Sequence, residues 1–151
     1  MSFTFREATL ADLETLVYHR YAMWRDMGRP ASVLEAVNDA ARVYFTAALP
    51  SGGYVGWLAE ADGKIVGGGG VVISEWPGNP GSTLAKRAMI LNMFVEPEYR
   101  RRGIARALMV AMIDWCKAQG FPSVGLHASD EGRPLYESLG FGPTNEMRLT
   151  L

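Results

Sequence analysis

The chain has little cysteine: Cys116 stands alone in 151 residues, so an internal disulfide is impossible and a cysteine-based metal cluster is excluded. It also lacks an excess of either charge, with fifteen Lys+Arg against sixteen Asp+Glu and a formal net charge of −1. That balance argues against a general nucleic-acid or membrane-surface binder, so any basic patch is local. The longest wholly apolar runs, such as Ala107–Ile113, are too short to span a bilayer. The opening stretch MSFTFREATLADLE has no basic segment followed by an apolar one, so no secretory leader is expected and the protein reads as cytoplasmic. There is no internal repeat, low-complexity stretch or linker, which leaves one domain over residues 1–151. Residues are 48% hydrophobic and 21% charged. A chain of this size buries roughly 68–70% of its unfolded surface, so its core needs no disulfide or metal staple.

Local patterns give an α/β order of β-α-α-β-β-β-α-β-α-β. A short strand at 3–7 precedes Thr9 and Asp12, spaced as a capping box, and a helix with Leu13, Leu16, Val17, Tyr21 and Trp24 on one stripe. Ser32 and Glu35 repeat that capping pattern before a helix whose face would hold Val33, Val37, Ala40, Ala41, Tyr44 and Ala48, ended by Pro50 to Gly53. Strands at 54–61 and 64–74 flank Asp62-Gly63, a hairpin signal. The second contains four glycines, Gly67 to Gly70, which weaken a strand unless something approaches it closely. A Pro- and Gly-bearing loop at 75–83 leads to the apolar strand 88–95. The helix 103–119 carries Ile104, Leu108, Ala111, Met112 and Trp115 on one stripe, with Cys116 as packing. A strand at 124–128, a helix capped by Ser129 through Leu139, and a last strand at 144–151 complete the order.

The sharpest chemical feature is Tyr99-Arg100-Arg101-Arg102-Gly103-Ile104-Ala105-Arg106, lying between a buried strand and a helix start. The first N–H groups of a helix lack internal partners and sit at the positive end of its dipole, which makes that end an anion site. Small residues at 103 and 105 let phosphate oxygens approach the main chain, and four arginines add side chains suited to phosphate. The sequence G-x-x-x-x-G-K-[ST] is absent, and the glycines at 67–70 do not complete G-x-G-x-x-G.

Arg100-x-x-Gly103-x-Ala105 after an apolar strand resembles the [QR]-x-x-G-x-[GA] signature of the GNAT superfamily of acyl-CoA-dependent N-acyltransferases. Met93-Phe94-Val95-x-Pro97-x-Tyr99 resembles the family's fourth strand and its exit, and Leu135-Tyr136-Glu137-Ser138-Leu139-Gly140-Phe141 its late LYExLGF segment. The resemblance covers essentially the whole chain. It implies a GNAT-like α+β fold, with a mixed, mostly antiparallel sheet of about six or seven strands flanked by about four helices. It further implies that the backbone amides of Arg101, Arg102, Gly103, Ile104, Ala105 and Arg106, with the Arg100 side chain, hold the coenzyme A pyrophosphate. Met93 and Val95 would pair with the pantetheine arm like an added strand. Tyr136 would protonate the departing thiolate, and the N–H of Phe94 or Val95 would stabilise the oxyanion.

Two departures bear on this. Ser129 stands where many relatives have Asn, and can still cap and donate one hydrogen bond. Asn92 stands where some members have a carboxylate, and an amide cannot act as a base. Glu75, Glu96, His127 or water remain as general base. For the acceptor, Tyr21, Trp24, Arg25, Trp76 and His127 are the candidate contacts, Trp76 on a loop able to act as a lid; Tyr21 and Trp24 also fit as plain core of the first helix. The expected reaction is transfer from acetyl-CoA to a primary amine of a small molecule, or of a peptide or protein, by direct attack in a ternary complex; the alternative is a non-catalytic acyl-CoA-binding or sensing module on the same fold. No metal, nucleic acid or membrane partner is implied, and a homodimer is compatible with the family.

Overall fold

The computed structural model describes residues 2–151. Strand β1 (Thr4–Glu7) leads through Thr9 into a 3-10 turn at Leu10–Asp12 and helix α1 (Leu13–Asp26). The Thr9–Asp12 box forms: the Asp12 carboxylate accepts the Thr9 N–H at 2.8 Å, and Arg6 grips the same carboxylate at 2.8 and 2.9 Å. Arg6 thereby holds Asp12 down at about 2, below its usual range. Helix α2 (Ala31–Ser51) starts one residue before the expected Ser32 cap, because the Pro30 carbonyl accepts the N–H groups of Val33 and Leu34. Pro50 lies within α2, and Gly52, at φ +78°, closes it.

Strands β2 (Tyr54–Ala61), β3 (Lys64–Glu75) and β4 (Lys86–Val95) form the antiparallel centre of the sheet. β1 adds antiparallel to β2, and β5 (Gly125–Leu126) adds parallel to β4, giving the order β1-β2-β3-β4-β5. Helix α3 (Ile104–Ala118) follows β4, and α4 (Arg133–Ser138) closes the described elements.

The fold class is as expected, with five strands in place of six or seven. The strand expected at 124–128 shrinks to two paired residues, and α4 is shorter than the 129–139 expectation. Residues 144–151 form no strand: among the described residues they have no ladder partner, and Met147, Leu149 and Leu151 are exposed.

Each face of the sheet has its own core. On one, Trp57, Val66, Val71, Ile90 and Val95 pack on Ile104, Leu108, Met109, Met112 and Cys116 of α3. On the other, Tyr54 and Leu58 pack on Leu16 and Val17 of α1 and on Ala41, Phe45 and Ala48 of α2. The buried line of α2 runs through Leu34, Ala41 and Phe45, while Val33 and Tyr44 face out, a rotation of the expected stripe. Gly67 to Gly70 answer their own puzzle. A Cβ on Gly70 would coincide with the Tyr54 hydroxyl, and one on Gly69 would lie 2.5 Å from Met93 Sδ. The missing side chains make room for neighbours.

Candidate active site

β4 carries an extra residue near its end. Gly68 pairs with Phe94 and Gly70 with Leu91, so three steps on β4 oppose two on β3. Asn92 occupies this bulge in the left-handed region at φ +62°. The bulge leaves both Ile90 and Val95 in the α3-side core, with Met93 packed on the same side, while Phe94 points to α1.

Hydrogen bonding alternates along the ladder beyond it. Glu96 N–H donates to the Val66 carbonyl at 2.8 Å, which puts the Phe94 main-chain groups toward β3 and those of Val95 away from it. Of the two expected oxyanion donors, Val95 therefore has the free direction. On that side β4 meets β5 only at Met89 and Ile90, so the strands part before Met93. The Val95 carbonyl is occupied by Arg100 Nε at 2.8 Å.

After Val95, Pro97–Tyr99 make a 3-10 turn. Buried Tyr99 anchors it by donating to Asp62 at 2.9 Å. Arg101 at φ +59° and Gly103 at φ +83° are left-handed on either side of Arg102 and open directly into α3. Such alternation curls successive N–H groups into an anion-binding concavity at the positive end of the helix. The Cβ position of Gly103 has nothing within 4 Å, so the turn is open from outside.

The arginines divide their work differently from the expectation. Arg100 does not face the concavity. Its guanidinium spans from the Val95 carbonyl to Asp26 at the end of α1, at 2.8 Å to each. Arg106 donates to Ser138 Oγ at 2.6 Å and ties α3 to α4. Arg102 lies over the Tyr99 ring, 5.4 Å from its centre. Arg101 has no side-chain partner among the described residues.

Tyr136, on α4, is half-buried against the α3-side core, and its ring lies against Gly132 and the edge of Phe141. Its hydroxyl has no hydrogen-bond partner among the described residues, and burial raises its pKa. Ser129 accepts the Gly132 N–H at 3.1 Å and so caps the turn that leads into α4.

The remaining expected contacts scatter. Glu96 accepts the Tyr18 hydroxyl at 2.9 Å. Tyr21 lies beside Arg25, whose guanidinium is 5.6 Å from the ring centre. Trp24 is half-buried but belongs to neither core, against the plain packing reading. Glu75 and Trp76 are not brought to the site. They sit at the far end of the β3–β4 hairpin, roughly 17 Å along β3 from the bulge. There Trp76 stacks on Arg87 and, with Pro77, Ala85 and Lys86, lines a shallow open recess. His127 is exposed just past β5 rather than on it.

A side-chain network that the sequence does not announce crosses the bulge. Arg20 Nη1 donates to Asn92 Oδ1 at 2.8 Å, and Asn92 Nδ2 donates to the buried Tyr54 hydroxyl at 3.2 Å. Its trace in the sequence is Arg20 itself, four residues after Leu16 on the apolar stripe of α1.

A profile of the Acetyltransferase (GNAT) family matches residues 17–141. The chain belongs to the GNAT acetyltransferase family. A crystal structure of a GCN5-related N-acetyltransferase from Ralstonia eutropha is 38% identical, superposes with a TM-score of 0.93 and covers 99% of both chains. A predicted acetyltransferase from Clostridium acetobutylicum, solved with acetyl-CoA, is 25% identical with a TM-score of 0.91 over 99% of this chain and 96% of that one. Human N-acetyltransferase 8 is 32% identical over 93 residues, a match covering 60% of this GNAT chain and 39% of that protein. The chain thus matches well under half the length of that curated relative.

Proposed function

We propose that the protein transfers the acetyl group of acetyl-CoA to a primary amine of a small molecule, by direct attack in a ternary complex. The observation that carries this reading is the left-handed pair Arg101 and Gly103 opening into α3, next to a strand whose Val95 N–H faces away from the sheet. The concavity fits a pyrophosphate, and the parted edge of β4 fits an extended arm lying along Met93 and Val95. An arm that takes the Val95 carbonyl must displace or share Arg100.

Holding amine and thioester together removes much of the entropic barrier. As the amine nitrogen bonds to the carbonyl carbon, negative charge grows on the carbonyl oxygen, and the Val95 N–H is the donor directed to receive it. The C–S bond then breaks and the thiolate takes the Tyr136 proton. A phenol of pKa about 10, pushed further up by burial, is protonated at neutral pH and so has a proton to give as the C–S bond breaks, and the phenolate left behind is reprotonated from solvent. An alkyl amine of pKa about 10.4 is neutral in only roughly one molecule per thousand at pH 7, so its proton must leave to a base. Glu96, next to Val95 in sequence, is the one carboxylate of the expected set that adjoins the site. A homodimer is compatible with this reading, and a single monomeric species in sedimentation velocity would exclude it.

The test is thiol release from acetyl-CoA against a panel of amines, beside calorimetric titration of acetyl-CoA. Release with one class of amine, lowered on the order of 100-fold in Tyr136→Phe, is the expected result. Absence of acetyl-CoA binding would sink the reading.

A further inference from the structure

Among the described residues three arginines are half-buried: Arg20, Arg42 and Arg100. Arg42 pairs with Glu14 and Asp39, and Arg100 pairs with Asp26. Arg20 pairs with no carboxylate among the described residues. A guanidinium taken partly out of water without a counter-ion is costly, and burial alone already pulls its pKa down.

The group is nevertheless held in one pose. The Asn92 amide is fixed from two sides, giving Nδ2–H to Tyr54 and leaving Oδ1 to accept from Arg20 Nη1. The Trp24 ring lies alongside, its centre 5.7 Å from the Arg20 guanidinium carbon. A guanidinium has five N–H donors in one plane, so with Nη1 engaged its fork still offers parallel donors for a carboxylate or phosphate.

Its place in the fold says which substrate would bring that anion. Asn92 immediately precedes Met93–Val95, and α1 covers the same stretch through Tyr18 and His19 against Phe94. Arg20 therefore reaches the reacting strand from the α1 side of the sheet, opposite the α3 side where the donor's phosphates would sit. Trp24, outside both cores, supplies an apolar wall beside it.

We propose that Arg20, set by Asn92 and Trp24, is the anion-recognition group of the acceptor subsite, so that the preferred amine carries a carboxylate or phosphate. This rests on the amine-acetylation reading above and narrows its substrate class.

The experiment compares kcat/KM within two matched pairs: phenylalanine against phenethylamine, and glucosamine 6-phosphate against glucosamine. The wild type should favour the anionic member of at least one pair on the order of 10- to 100-fold, the scale of a charged hydrogen bond, and the pair that shows it names the anion. In Arg20→Met the ratio should fall toward one, and in Arg20→Lys it should lie between. Because each ratio is internal to one protein, a partly misfolded variant lowers both members and leaves the ratio readable. A wild-type ratio near one in both pairs, or an unchanged ratio in Arg20→Met, overturns the proposal. If acetyl-CoA binds and none of the four amines releases thiol, the acetylation reading is what has failed. Titration of the same four compounds into the CoA complex then decides the subsite: binding of an anionic member that is lost in Arg20→Met upholds it, and no anionic binding overturns it.

Discussion

The two faces of the sheet are built from different materials. On the α3 side the fully buried set runs Val66, Val71, Leu108, Met109 and Met112 without a charged member. On the α1 side lie the buried polar residues Asp12, His19 and Asn92, with Arg20 and Tyr54 joined to Asn92. An apolar face derives its stability from area and packing, which do not titrate. A polar face stays folded only while each group keeps its protonation state and partner. The α3 side is thus suited to presenting a fixed helix start, and the α1 side to telling one small molecule from another.

The largest effect that would sharpen this contrast is on the dry side. Leu108→Ala should cost about 2–5 kcal/mol in urea unfolding, by the same amount at pH 7.5 and pH 5. A cost that changes with pH would blur the distinction.

On the other face, burial holds His19 down at about 4, against 6.5 for a free histidine. Between those values the unfolded chain binds a proton that the folded chain refuses. Stability is therefore full above pH 6.5 and falls as pH drops toward 4, by at most about 3 kcal/mol. His19→Leu should flatten that window; a slope that survives the substitution would place the titrating group elsewhere. Asp12, held at about 2, takes over only at lower pH, where its bond to Arg6 is lost as the carboxylate is protonated.

The smallest effect probes the seam between the faces. Gly70→Ala forces Tyr54 to move and should cost about 1–3 kcal/mol, read as a lowered urea midpoint. A neutral result would show that Tyr54 relocates freely and that its bond to Asn92 is dispensable.

The backbone from β4 into α3 was legible because it rests on local rules: a strand, a stop at Pro97, a left-handed glycine and a helix start. The destinations of its long side chains were not. Nothing in the order of Arg100 to Arg106 says that the first turns back to the Val95 carbonyl or that the last reaches Ser138. The bulge was hidden as well, since the run AMILNMFV is apolar on both sides of Asn92 and shows no change of phase. Arg20, a charge on the apolar stripe of α1, is a more informative anomaly than the aromatic residues beside it. The Trp76 loop misled through composition: an exposed tryptophan between prolines resembles a lid, but the length of β3 carries it away.

The empty centre of β3 has a consequence for how such a sequence can change over time. Tyr54 lends its bulk to a neighbouring strand and its hydroxyl to Asn92, so one ring serves as both filler and anchor. Positions 54 and 70 then behave as one heritable unit. A larger residue at 70 is harmful while the ring is present, and a smaller one at 54 leaves a void that no glycine can fill and frees the amide that orients Arg20. Drift toward another acceptor can more easily begin at Arg20 or Trp24, at the rim of that unit, than within it.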